Sequence, residues 1–227
     1  MSSARGSGRF VTGLAWAVLL LGLWLWGRDV SGGTGSTSAP TTGDIAAVGR
    51  PLGMPLPPAH DPLKGAAPQR VEIPSIGIAA PVVPRGLDAD GAVDPPPFAQ
   101  AGTVGWFDSG ARPGQAGAAL LVGHVDTQSR PAVFYGLSAA RPGERIKVTG
   151  ADGTIAEFTI DDVQVFSRRH FDAAKVYGPR QRGRAELRLI TCGGTYDHKT
   201  KAYTANVVVS AYLTDARDPA PSKPRAS

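Results

Sequence analysis

The chain has 227 residues, enough for one domain with appendages, and with 42% apolar and 19% charged residues it is globular in the bulk. Its 29 glycines and 20 prolines argue against a helix bundle and for a loop-rich β fold, and its single cysteine excludes an internal disulfide framework and any multi-thiolate metal site. The net charge of +5 admits anionic partners (nucleic acid, cell-surface polymers, lipid head groups) and selects none of them.

The first element in the chain is the uncharged 18-residue run 10–27, FVTGLAWAVLLLGLWLWG, bounded by Arg9 and Arg28. As a helix it spans roughly 27 Å, just enough for a hydrocarbon core of about 30 Å. Trp24 and Trp26 stand at its far end, where indoles favour the membrane–water interface. Arg5 and Arg9 precede it without an acidic residue, which keeps the N-terminus cytoplasmic and puts the remaining chain outside the cell. A cleavable signal peptide shares this pattern, but its apolar region is shorter and ends in a small-x-small site, whereas this run ends Leu-Trp-Leu-Trp-Gly-Arg. The expectation is a single-pass signal-anchor that leaves the remaining chain at the outer face of the cell membrane.

Residues 28–68 turn to Gly, Ser, Thr, Ala and Pro without apolar periodicity, and read as a linker that is flexible first and stiffer in its Pro-rich second half. Residues 69–214 form the folded part, and 215–227, DARDPAPSKPRAS, read as a disordered tail. Within the folded part, β-type alternation or β-branched runs occupy 70–74, 78–83, 118–124, 145–150, 154–160, 163–167, 186–192 and 206–213. Eight short strands separated by Gly, Pro and Asp turns predict an all-β fold, a closed barrel or a sandwich. Asp152-Gly153 between two such runs predicts a tight hairpin, and helix is confined to short stretches at 132–139 and 171–177.

Four histidines and one cysteine carry the possible chemistry. His60 lies among prolines, and His170 and His198 sit in polar loops rich in Arg or Lys. His124 differs, because it ends the apolar strand Ala-Leu-Leu-Val-Gly, where a titratable side chain sits at a mouth rather than in a core. Cys192 ends another apolar strand, Leu-Arg-Leu-Ile-Thr-Cys, and is followed by Gly193-Gly194, which removes bulk beside the sulfur and frees backbone N–H groups that could face an oxyanion. An unpaired thiol exported into an oxidising space reads as intermolecular or reactive, and a neighbouring imidazole would make it a nucleophile by favouring the thiolate. These two residues are 68 positions apart, so only the fold brings them together.

The Leu-Ile-Thr-Cys run at 189–192, the Gly-His-Val-Asp run at 123–126 and the preceding membrane anchor together resemble a sortase, a cysteine transpeptidase of the Gram-positive cell surface. The stretch 106–137 and TCGGTYD followed by YTANVVVSA resemble most the actinobacterial class often called class F. The resemblance covers 69–213 and implies an eight-stranded β-barrel with one or two short helices and its active site on one rim. Cys192 would attack a backbone carbonyl in an LPxTG-like C-terminal sorting signal of a secreted protein, and His124 would serve as general acid and then base. An amine of peptidoglycan or a pilin would resolve the acyl-thioester. Thr191 matches the family's residue before the cysteine, in a position to contact substrate.

One departure stands out: sortases carry an arginine on the strand after the cysteine, and between Cys192 and Asp215 this chain has Lys199 and Lys201 but no arginine. Alignment of the last apolar run puts Asn206 near that position as an uncharged oxyanion donor, with Arg188, on the same strand face as Cys192, as the alternative. No cofactor is implied, and no metal or calcium requirement, since no acidic loop has calcium-type spacing. A nucleic-acid partner is not expected. The rival readings are a hydrolysis-dominated or catalytically weak sortase-like wall-binding domain, and an L,D-transpeptidase. The latter family places its cysteine within a short motif rich in His and Gly, unlike the distant pair here.

Overall fold

The computed structural model describes residues 55–127, 129–170 and 172–219, so the predicted membrane anchor at 10–27, most of the linker and the last eight residues lie outside the described residues. Eight strands, β1 (Pro68–Ile73), β2 (Ile78–Arg85), β3 (Val104–Phe107), β4 (Gly117–Val122), β5 (Arg145–Gly150), β6 (Ile155–Ser167), β7 (Ala185–Asp197) and β8 (Ala202–Arg217), close into a barrel. Their order around it is β1-β2-β3-β4-β7-β8-β6-β5, with β5 pairing back to β1. The pairs β2–β3 and β4–β7 are parallel and all others antiparallel. Closure decides against the sandwich and leaves no open sheet edge. The one α-helix among the described residues, α1 (Ala173–Tyr177), lies in the connection from β6 to β7, where the sequence predicts it, with Asp172 capping its N-terminus.

The period-two signal works where one face is wet. In β5, Ile146 and Val148 point inward and alternate with the more exposed Arg145 and Lys147. The turn that follows is the predicted hairpin: Gly153 takes a φ of 83°, and Asp152 accepts a hydrogen bond from the Thr154 N–H at 3.0 Å. In β7 both faces are covered. Leu187 and Leu189 belong to the barrel core, while Ile190 joins a second apolar cluster on the outer face with Val93, Leu120, Val122, Val176 and Val208. The connection carrying α1 lies over this outer face through Val176, so the sheet is buried on both sides at β4, β7 and β8.

Three details differ from the sequence expectations. The runs 154–160 and 163–167 form a single strand, β6, because the Asp161-Asp162 pair between them is absorbed as an irregularity in the pairing with β8 rather than a break. The eighth strand is instead β3, four residues too short to show a period, which inserts the Trp106 ring into the core while its indole N–H donates to the Ala111 carbonyl at 3.2 Å. The stretch 132–139 is a series of turns ending in a 3-10 turn at Leu137–Ala139, with Phe134 and Leu137 fully buried.

The domain edges also shift. β8 continues to Arg217, so the first residues of the expected tail are strand. Residues 55–67, expected as the stiff end of a linker, are bonded along the barrel. The Tyr212 hydroxyl donates to the Pro57 carbonyl (2.6 Å), the His60 N–H to Leu213 (2.9 Å), and the Leu63 N–H to Gly114 (2.8 Å). Leu63 packs against the core.

Candidate active site

The pairing registers place the site. Cys192 on β7 lies directly opposite Asn206 on β8, and Asn206 lies opposite Phe166 on β6. On the other side, β4 runs parallel to β7 with Val122 beside Ile190, and the Gly123 N–H continues the ladder by donating to the Ile190 carbonyl at 3.1 Å. Two residues past Val122, His124 therefore stands level with Cys192. The structure thus brings His124, Cys192, Asn206 and Phe166 into one row across four neighbouring strands, on the outer face of the barrel near its rim. The 68-residue gap between the imidazole and the thiol disappears because β4 and β7 are neighbours.

The backbone at His124 is held on both sides. A Cβ at Gly123 would approach Phe134 and Val133 to 2.7 Å, so glycine there lets the buried Phe134 pack beneath the histidine. The His124 carbonyl accepts from the Phe134 N–H (2.9 Å) and the Val125 carbonyl from Ala132 (3.0 Å), which pins the loop after β4 against the 132–134 segment. The ring is equally constrained. Its Nε2 is 2.6 Å from the Pro96 carbonyl oxygen, and the exposed Phe98 ring stacks over it at 4.3 Å between centroids. A carbonyl only accepts, so Nε2 carries the proton and Nδ1 is the basic nitrogen of the neutral ring.

Cys192 is half-buried, and burial pushes its thiol above the usual cysteine range. The positive charge of Arg168 opposes that shift and the carboxylate of Asp126 adds to it. At neutral pH the resting form is the thiol, so attack requires a base, and the neighbouring imidazole is the one in place. Asp126 accepts a short hydrogen bond from the Tyr203 hydroxyl, a link between the loop after His124 and the start of β8. Burial first, and then this carboxylate, push the Tyr203 hydroxyl far above the ordinary tyrosine range.

Other expected residues fall elsewhere. Thr191 alternates to the opposite face from Cys192 and is 4% exposed, with its Oγ1 buried; it contributes to the barrel interior and does not reach the outer row. Arg188 shares the face of Cys192 but is 1% exposed and committed: its Nη2 donates to Glu186 at 2.6 Å and to the Gly178 carbonyl at 3.1 Å. It is a structural ion pair that fixes the α1 connection to the barrel, which removes it as an oxyanion donor. His60 and His198 lie in exposed segments, the latter edge-on to Tyr196.

In the diglycine, Gly193 stays in the ladder opposite Ala205, while Gly194 takes a φ of 75° within the irregularity that precedes Tyr196. A side chain there would meet a left-handed backbone and sit 2.6 Å from the Thr204 Oγ1. Gly194→Ala is therefore expected to lower stability by about 1–2 kcal/mol, measurable by urea denaturation. The sequence reading missed Asp126–Tyr203, Phe98 and Arg168 as members of this neighbourhood. Of these, Asp126 lay within the quoted Gly-His-Val-Asp run and Tyr203 at the head of the quoted YTANVVVSA, while Phe98 and Arg168 lay in no quoted motif.

Residues 71–214 match the family described as the sortase domain. No curated protein matches the sequence. Among solved structures, sortase A of Listeria monocytogenes is 17% identical with a TM-score of 0.51, covering 69% of this chain and 92% of its own. The SrtA sortase from Actinomyces oris is 18% identical with a TM-score of 0.53, covering 78% of this chain and 94% of its own. At these identities the two structures speak for the barrel alone. The family match spans nearly the whole of that barrel, from β1 to β8, and the chain belongs to the sortase family of cysteine transpeptidases.

Proposed function

We propose that the chain is a membrane-anchored transpeptidase, of the class F type, that cleaves an LPxTG-like sorting signal on secreted proteins and joins them to an amine of the cell wall or a pilin. The observation that carries this reading is the row of His124, Cys192 and Asn206 on adjacent strands. His124 takes the Cys192 proton, and the sulfur adds to the substrate carbonyl. The C–N bond then breaks, and the imidazolium returns the proton to the departing amine, leaving an acyl-thioester. An incoming amine loses its proton to His124 as it attacks, and the thiolate leaves and is reprotonated. The Asn206 amide, across from the sulfur, is placed to donate to the developing oxyanion.

The test is to incubate the full chain in detergent micelles with LPxTG-type peptides and an amine acceptor, and to follow the intact mass. A covalent adduct of the N-terminal peptide fragment on Cys192 is expected, and Asn206→Ala should slow turnover by about 10²–10³-fold. Absence of any adduct across a panel of signal sequences contradicts the reading. Product formed mainly with water in the presence of excess amine favours a hydrolysis-dominated enzyme. The anchor at 10–27 is tested by alkaline extraction of membranes, with the chain expected in the pellet.

A further inference from the structure

The outer row through Cys192 is followed, one step closer to the rim, by a positive charge from a strand that is not its neighbour. β6 and β7 are both antiparallel to β8 and so run in the same direction, and both Ser167 and Gly193 pair with Ala205, which sets Arg168, the residue after Ser167, just beyond the end of that row. Arg168 opens a 3-10 turn, Arg168–His170, that packs against β8, and its positive charge acts on the Cys192 sulfur across that strand. Two interstrand spacings and two residues of rise separate the Cα atoms of Arg168 and Cys192 by about 12 Å, a gap that an extended arginine largely closes. The positions between them are Thr204 and the side-chain-free Gly194.

The rest of the neighbourhood makes this charge distinctive. The groups facing Cys192 are His124 from the end of β4, Asp126 from the loop beyond it, Tyr203 from β8, and Arg168 from the end of β6. Asp126 is the negative member and is engaged by Tyr203, which in turn packs edge-on against Tyr196. Arg180, Arg184 and Arg188 are all tied to Asp161, Asp162 or Glu186. Arg168 is exposed and makes no ion pair with an acid among the described residues, so its charge is available to whatever forms on the row.

We propose that Arg168, reaching across β8 from the end of β6, supplies the positive charge that favours the Cys192 thiolate and the negative oxygen formed when it attacks. The proposal rests on Cys192 being the nucleophile, and assigns the charge of the site to a strand two removed from it. Its exposed position makes the effect sensitive to ionic strength.

The single thiol permits a test that needs no sorting peptide: the pH dependence of iodoacetamide alkylation of the full chain in micelles, read by mass. Arg168→Gln is expected to move the alkylation midpoint to higher pH, Arg168→Lys to restore most of it, and Arg169→Gln, on the adjoining position, to leave it in place. Asp126→Asn should move it to lower pH, and added salt should narrow the difference between wild type and Arg168→Gln. Turnover of Arg168→Gln should fall by about 10–100-fold, the scale of a charge-assisted hydrogen bond. An Arg168→Gln midpoint equal to wild type while Asp126→Asn shifts overturns the proposal, as does an equal shift in Arg169→Gln. A wild-type chain that alkylates with this pattern yet forms no acyl adduct overturns the transpeptidase reading and still supports the electrostatic role of Arg168.

Discussion

Cys192→Ala is expected to abolish both the acyl adduct and product formation, a loss of at least about 10⁴-fold. The sulfur is the only thiol in the chain, so no second cysteine can substitute for it. His124→Ala should leave the thiol present but without a base, and reduce turnover by about 10²–10⁴-fold. The two variants should differ in kind as well as degree. His124→Ala, unlike Cys192→Ala, retains an alkylatable sulfur, and activity rising toward high pH as the thiol ionises unaided would mark the lost base. Neither side chain belongs to the buried core, so both variants should melt close to wild type. Measurable turnover by Cys192→Ala in a preparation free of wild-type enzyme would sink the mechanism.

The largest effect on stability is expected at Glu186. Its carboxylate is fully buried and accepts four bonds: from Arg188 (2.6 Å), Arg184 (3.0 Å) and the backbone N–H groups of Arg180 (2.9 Å) and Gln181 (2.8 Å). Glu186→Ala strands the buried Arg188 guanidinium and releases the connection that carries α1, at a cost of about 3–5 kcal/mol. Urea denaturation measures it, and a loss under 1 kcal/mol would contradict the assignment. Burial alone would raise this carboxyl, but the Arg180 N–H, the Arg188 hydrogen bond and charge, and the Gln181 N–H outweigh it and hold it below its ordinary value of 4.5. A lowered carboxyl contributes stability that is present above its unfolded value and lost as pH falls through the folded one. Glu186→Gln should therefore flatten the acid limb of the stability curve below about pH 4.5 and leave its shape near neutrality unchanged.

How much of this was legible depended on whether a residue's partner was local. β5 and the hairpin at Asp152-Gly153 could be read because alternation and turn chemistry act within ten residues. β3 could not, since four residues carry no period and its place is set by a parallel partner some twenty positions away. The Asp161-Asp162 pair looked like a break between strands because two adjacent carboxylates are poor strand formers, yet Arg180 and Arg184 approach them from the β6–β7 connection and the strand runs through. At the site, His124 and Cys192 could be singled out because each ends an apolar run in the sequence. Arg188 looked equivalent by face, and its exclusion was also written locally: Glu186 precedes it by two and lies on the same side of the strand. Arg168 was invisible for the opposite reason, since only the order β7-β8-β6 around the barrel brings it near the thiol.

The bonds that fasten residues 57–63 to Leu213, Tyr212 and Gly114 have a mechanical consequence. Along β8, Leu213 is seven residues from Asn206, about 23 Å toward the opposite pole of the barrel. If the proposed anchor holds the chain, a pull on the residues before 57 would enter the barrel at that far pole. It would be resisted there by hydrogen bonds, a barrel's length along β8 from the row that holds Cys192.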